Sequence, residues 1–186
     1  MAFDAPSEIS PALALFAAAD VAAVLRERGW LGSWQAADAG SIFEKWCARA
    51  AELLAPHAPD RTALAGLLAL LFAYDARALV SLPANQAVLA REGARDVIRE
   101  FANRLLDGGD LDSDRLKEII DALKAALPYR GRELFFPIRL ALAGRVGDGE
   151  LDRVILLLDP AAALADFSVC VKGARQRMIE FCAAFD

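Results

Sequence analysis

Arg130-Gly131-Arg132-Glu133-Leu134-Phe135-Phe136-Pro137-Ile138-Arg139-Leu140-Ala141-Leu142-Ala143-Gly144-Arg145 is the stretch on which the reading of this chain turns. Leu134, Phe135, Ile138 and Leu142 recur at helical spacing, with no two-residue alternation to suggest a strand. Four arginines stand against one acid, Glu133, inside a chain whose formal net charge is -5. Arg132, Arg139 and Arg145 follow one another at roughly two-turn intervals, so a helix here buries an apolar stripe and sends guanidinium groups out along one edge. Guanidinium groups so placed suit bidentate contacts to phosphates or base edges. On periodicity alone, the simpler reading pairs them with the chain's own surplus carboxylates. Pro137 removes a helix hydrogen bond in mid-pattern and predicts two short helices meeting at a kink.

Outward from this stretch the same helical rhythm continues. Downstream, short helices are expected from about Leu151 and Pro160, and a final one from Ala174 to Phe185. Upstream, Asp112 or Ser113 is placed to cap a helix that Pro128 stops, with Leu116, Ile119, Ile120, Leu123 and Leu127 facing inward. The cluster Asp107-Gly108-Gly109-Asp110 reads as a turn. Before it, Val97, Ile98, Phe101 and Leu105 form one stripe of a helix from Gly93 to Leu106. Leu82-Pro83 breaks the chain, which sets a provisional division into an N-terminal helical segment, 1–82, and a second helical domain, 83–186.

Asp60 is placed to cap a helix that is apolar on nearly all sides and therefore central. Ser41 should begin another that ends before Pro56, with Ile42, Trp46, Leu53 and Leu54 on one face. Ser10-Pro11 has the form of a helix start, and Gly29 of a stop. Trp30 and Trp34 read as cover for a hydrophobic edge. The fold class that results is all-α, a multi-helix bundle.

Composition agrees and narrows the chemistry. The chain has 186 residues, 56% hydrophobic and 25% charged, enough for a real core and unlike a disordered segment. One histidine and three cysteines leave little for metal sites or histidine-based catalysis. His57 lies between Pro56 and Pro59, and no Gly-x-Ser-x-Gly nucleophile turn exists for it to serve. Paired zinc-ligand spacings, a phosphate-binding Gly-x-x-x-x-Gly-Lys loop and a Gly-x-Gly-x-x-Gly turn are all missing from these residues. No catalytic residue, metal or cofactor is therefore expected. Cys47, Cys170 and Cys182 read as buried thiols in a reducing compartment. Met1 to Ser10 carries acids and no base, unlike a secretory signal, and the most apolar run, Ala63 to Ala73, is roughly half a membrane span. The expectation is a cytoplasmic protein without a membrane partner.

The arginine stretch resembles the C-terminal anticodon-binding region of bacterial glutamyl-tRNA synthetases, class I aminoacyl-tRNA synthetases. Members carry Gly-(Arg/Lys)-x-Leu-Phe-x-Pro-(Ile/Leu)-Arg-x-Ala-Leu-(Thr)-Gly, then a short loop and a Leu-x-x-x-(Ile/Leu)-x-x-Leu-Leu helix. Here this stands as Gly131 to Gly144, then Gly147-Asp148-Gly149-Glu150-Leu151 and the segment to Leu158. Leu71-Phe72-Ala73-Tyr74-Asp75 and Gly173-Ala174-Arg175-Gln176-Arg177 are similar to flanking parts of the family, so the resemblance extends over about residues 65–185.

The resemblance implies a helical module that binds tRNA for glutamate at its anticodon stem and loop, in protein biosynthesis. It maps the family's base-approaching arginine onto Arg139 and the site-lining loop onto Gly147, Asp148, Gly149 and Leu151. Arg130, Arg132 and Arg145 would position the RNA backbone. Two positions depart from the family: Ala143 replaces a threonine, and Gly149 replaces a loop proline and is expected to free that loop. The class I catalytic signatures, of His-Ile-Gly-His and Lys-Met-Ser-Lys-Ser type, have no counterpart in these residues. The implied role is the non-catalytic part of a split or truncated glutamate–tRNA ligase, working with a separate catalytic subunit, or a stand-alone tRNA binder. The alternative is a helical interaction remnant without RNA affinity.

Overall fold

The computed structural model describes residues 16–32 and 41–185. Among them are eleven α-helices and no strand. In chain order these are α1 (Ala18–Glu27), α2 (Ile42–Leu54), α3 (Arg61–Phe72), α4 (Ala76–Ser81), α5 (Pro83–Leu89), α6 (Ala94–Leu106), α7 (Ser113–Ala126), α8 (Arg132–Ala143), α9 (Glu150–Ile155), α10 (Leu158–Ala162) and α11 (Ala174–Phe185). The expected all-α bundle is what the chain forms.

Local chemistry sets most boundaries. Ser41, Asp60, Asp75 and Asp112 each accept a hydrogen bond from the backbone N–H three residues on, at 2.8–3.1 Å. Such a cap stabilises a helix by about 1 kcal/mol. Pro83 begins α5, where a missing N–H costs nothing. The helix start expected at Ser10-Pro11, and Trp34, lie outside the described residues. Two details differ from expectation. Ile42 is 76% exposed, because it precedes Trp46 by one turn and projects past the edge of the core. Of the three cysteines only Cys47 is buried, while Cys170 is exposed on the irregular segment before α11.

Pro137 does not divide its helix: α8 is continuous from Arg132 to Ala143. The carbonyl deprived of its partner belongs to Glu133, an exposed residue, so solvent can serve it. The ring itself is buried.

One hydrophobic cluster runs from Val21 to Phe181 and joins residues on both sides of Leu82-Pro83. Helix α8 is central to it, with Leu134, Ile138, Leu140, Ala141, Leu142 and Ala143 at 2% exposure or less. Beside the first helices, Phe167 meets Phe43, Trp46 and Phe72 edge-on, with ring centroids 5.0–6.2 Å apart. Trp30 stacks on Phe72 at 4.6 Å, as expected of a residue covering an apolar edge.

Two polar residues tie the last helix to this frame. Asp159 accepts from the backbone N–H of Leu111 at 2.6 Å and of Ala174 at 2.7 Å, which fastens the start of α11 to the turn before α7. Arg177 is fully buried. It donates to the carbonyls of Leu70, Leu71, Leu142 and Lys172 at 2.7–3.0 Å. Three of those carbonyls belong to the last turns of α3 and α8, where helix dipoles favour a cation. Tyr74 adds a 2.6 Å bond to the carbonyl of Ala141 and offers its ring to the same guanidinium at 4.4 Å. Burial lowers the Arg177 pKa to about 10, which leaves it charged at neutral pH.

Candidate nucleic-acid interface

The site grows from the C-terminal end of α8. Gly144, at φ +74°, ends the helix in the left-handed region that glycine adopts without strain. The chain then turns through Arg145 to Gly149 into α9. Arg139, one helical turn before the end of α8, holds this turn. Its Nε and one terminal nitrogen donate to the two carboxylate oxygens of Asp152, both at 2.7 Å. The other terminal nitrogen donates to the carbonyl of Gly147 at 2.9 Å. The guanidinium also lies 4.9 Å from the centre of the Phe135 ring. A planar fork is needed for this, and lysine could not supply it.

This geometry bears on two of the expected RNA-contacting residues. Arg139 is 8% exposed and bonded to Asp152 and Gly147, so in this structure it holds the turn from below. Leu151 is fully buried and packs under the same turn, leaving it no surface to offer an RNA. The simpler reading of the arginines, as partners for the chain's own carboxylates, describes Arg139 well. It also describes Arg145, which pairs with Glu150 at 3.5 Å while staying exposed.

Asp148 and Gly149 are exposed at the turn. Gly149 has φ -64°, close to the angle that a proline ring imposes. The backbone angle at this position is therefore one that a proline could also take.

Arg130 and Arg132 lie at the opposite end of α8, about 18 Å away at 1.5 Å per residue. Arg130 donates to the carbonyls of Lys124, Leu127 and Tyr129 at 2.5–2.6 Å and closes the end of α7. Arg132 is exposed, with its guanidinium 5.7 Å from the Phe136 ring centre. The four arginines therefore do not form one free edge. Arg139 and the turn of Arg145, Asp148 and Gly149 make up one end of the site, and Arg130 with Arg132 the other.

Between them runs a groove of about 390 Å³, bounded by α7 on one side and by α8 and α9 on the other. Half-buried Leu116 and Phe135 give it apolar surface, and its wall is completed by Ile120, Ile138, Ile155 and Leu156, which belong to the buried core. His57, Lys117, Lys124 and Arg153 bring cationic or titratable groups to the same groove, and Gly149 joins it to the arginine-held turn. Sequence reasoning passed over Lys117, Lys124, Asp152 and Arg153. The first two were discoverable, since a seven-residue interval puts them on the same face of α7. Nothing local in the sequence marks Asp152 as the partner of an arginine thirteen positions back.

Among the described residues no cluster of His, Cys, Asp and Glu could hold a metal ion, and no helix is long and apolar enough to cross a membrane. The feature that marks this all-helical bundle is the arginine-held turn between α8 and α9 beside a cation-bearing groove. Residues 20–165 match the family described as anticodon binding domain, and the chain belongs to that family. It is also similar to glutamate–tRNA ligases. Identity is 32% over 78 residues with that of Carboxydothermus hydrogenoformans, covering 42% of this chain and 16% of the relative. It is 32% over 79 residues with that of Bacillus subtilis, with the same coverage. With that of Geobacillus stearothermophilus it is 37% over 71 residues, covering 38% of this chain and 14% of the relative. The matched stretches thus span about one-sixth of the relatives' own length. No solved structure matches.

Proposed function

We propose that this protein binds tRNA for glutamate at its anticodon stem and loop, and that it serves glutamyl-tRNA formation together with a separate catalytic subunit in the cytoplasm. The observation that carries the reading is the arginine-held turn, which falls within the residues matching the anticodon-binding family. Residues 83–186 act as the recognition part, with 1–82 as its helical support. Arg145, Asp148 and Gly149 present the turn to unpaired bases, which are splayed and read on their edges in single-stranded RNA. Arg130 and Arg132 meet the backbone farther along the stem. Arg139 and Leu151 serve by keeping the turn in shape.

Gel-shift titration at two salt concentrations tests this, using tRNA for glutamate and an unrelated tRNA. Tighter binding of the first, weakening as salt rises, is the expected result. Equal binding of both, or none, refutes the reading. Mixing the protein with the catalytic part of a glutamate–tRNA ligase, ATP, glutamate and the tRNA tests the role of the separate subunit. Charging should then exceed that by the catalytic part alone.

A further inference from the structure

We propose that Lys117 and Arg153 form the phosphodiester-binding rim of the groove between α7 and α9, whose apolar floor receives an unstacked base of the bound RNA. The inference rests on the tRNA reading above and adds residues outside the arginine stretch.

Charge balance within the groove supports it. Two carboxylates reach the groove, and both are already engaged: Asp152 by Arg139, and Asp121 by Lys124 at 3.1 Å. Lys117 and Arg153 are exposed, and neither side chain forms an ion pair or hydrogen bond among the described residues. The groove lining therefore carries two unpaired cations, one on α7 and one on α9, and no unpaired anion, in a chain of net charge -5. A polyanion gains from this arrangement, and the uncharged floor of half-buried Leu116 and Phe135 favours something with a flat apolar face beside its charge. A nucleotide combines these properties: phosphate at the rim and a base against the floor. An acidic protein segment would satisfy the rim alone.

Fluorescence anisotropy of labelled tRNA for glutamate with the full chain provides the test. The variants are Lys117→Ala, Arg153→Ala, the double variant, and Lys45→Ala as a control on the exposed face of α2. Removing one cation–phosphate interaction lowers the slope of log K against log salt by about 0.7–0.9. The double variant should therefore lose about 1.4–1.8 of slope and bind roughly tenfold or more weakly near 0.1 M salt. Lys45→Ala should match the unaltered chain. All the substituted positions are exposed, and circular dichroism confirms that each variant folds. An unchanged slope in the double variant, with the unaltered chain still binding, overturns the groove assignment and leaves the tRNA reading standing. Absence of binding by the unaltered chain overturns both.

Discussion

Replacing Asp152 by alanine strands Arg139, and the cost can be worked out from the geometry. The pair comprises two charge-assisted bonds of 2.7 Å, with side-chain exposures of 10% for Arg139 and 31% for Asp152. Removing one partner of a well-buried ion pair costs about 3–5 kcal/mol, because the other charge is left desolvated. The partial exposure on the aspartate side admits some water, which brings the expectation to about 2–4 kcal/mol. For a chain of this size a loss of about 3 kcal/mol lowers Tm by roughly 6–12 °C. Urea unfolding followed by circular dichroism measures it directly.

The complementary variant sharpens the test. Arg139→Met removes the buried charge and leaves a carboxylate that already reaches solvent, so about 1–2 kcal/mol is expected. The order of the two effects is diagnostic. Asp152→Ala must be the worse in urea, whereas Arg139→Met, which removes the donor to the Gly147 carbonyl, must speed hydrogen exchange of the amides in the Arg145–Gly149 turn. A loss below about 1 kcal/mol for Asp152→Ala would place the pair among ordinary surface bridges and refute the argument that Arg139 holds the turn.

Arg177→Met should destabilise by about 3–5 kcal/mol in urea, since it orphans carbonyls at the ends of both α3 and α8, and each buried group stranded costs about 1–3 kcal/mol. Gly144→Ala should cost about 1–2 kcal/mol from its positive φ, with its Cβ 3.3 Å from Leu79; Gly109→Ala, which meets nothing within 4 Å, should stay within about 0.5 kcal/mol. At pH 8 an alkylating reagent should modify exposed Cys170 quickly and Cys47 only on unfolding. Burial, aided by the carboxylates of Asp166 and Glu44, pushes the Cys47 thiol up from 9.0 to about 12. Because the folded value lies above the unfolded one, the stability tied to the neutral thiol is complete below pH 9 and is lost as pH rises toward 12. Urea midpoints at pH 8 and pH 10.5 should therefore converge in Cys47→Ala relative to the unaltered chain.

Helix boundaries were legible because they depend on near neighbours. Ser41, Asp60 and Asp112 cap the helices that follow them, and the stripe of Val97, Ile98, Phe101 and Leu105 is buried as its spacing implies. Pro137 misled because a proline's effect depends on whether the stranded carbonyl can reach water, and that is a property of the folded surface. The role of Arg139 was half legible. Its residue type and setting marked it as important, but spacing cannot distinguish an arginine that reaches outward from one that reaches beneath a turn to Asp152. Arg177 illustrates the same limit. It is buried without a carboxylate in bonding contact, held by carbonyls from helices more than thirty residues distant along the chain. Such acceptors leave no mark in sequence, since every residue carries one.

The acidity of the chain bears on RNA binding differently once the pairs are known. A net charge of -5 is a sum over groups, whereas a phosphate responds to the charges within about one Debye length, roughly 10 Å at 0.1 M salt. Among the side chains that line the groove, Lys117, Lys124 and Arg153 outnumber Asp121 and Asp152, and these two carboxylates are engaged by Lys124 and Arg139. On this account Arg139 contributes to binding without touching RNA: by neutralising Asp152 it removes an anion from the groove. Asp152→Asn should consequently keep or improve RNA affinity even as it weakens the fold, whereas Arg139→Met, which frees the carboxylate, should reduce it. A structural role alone would lower affinity in both, so anisotropy titrations of the two variants separate electrostatic screening from simple loss of shape.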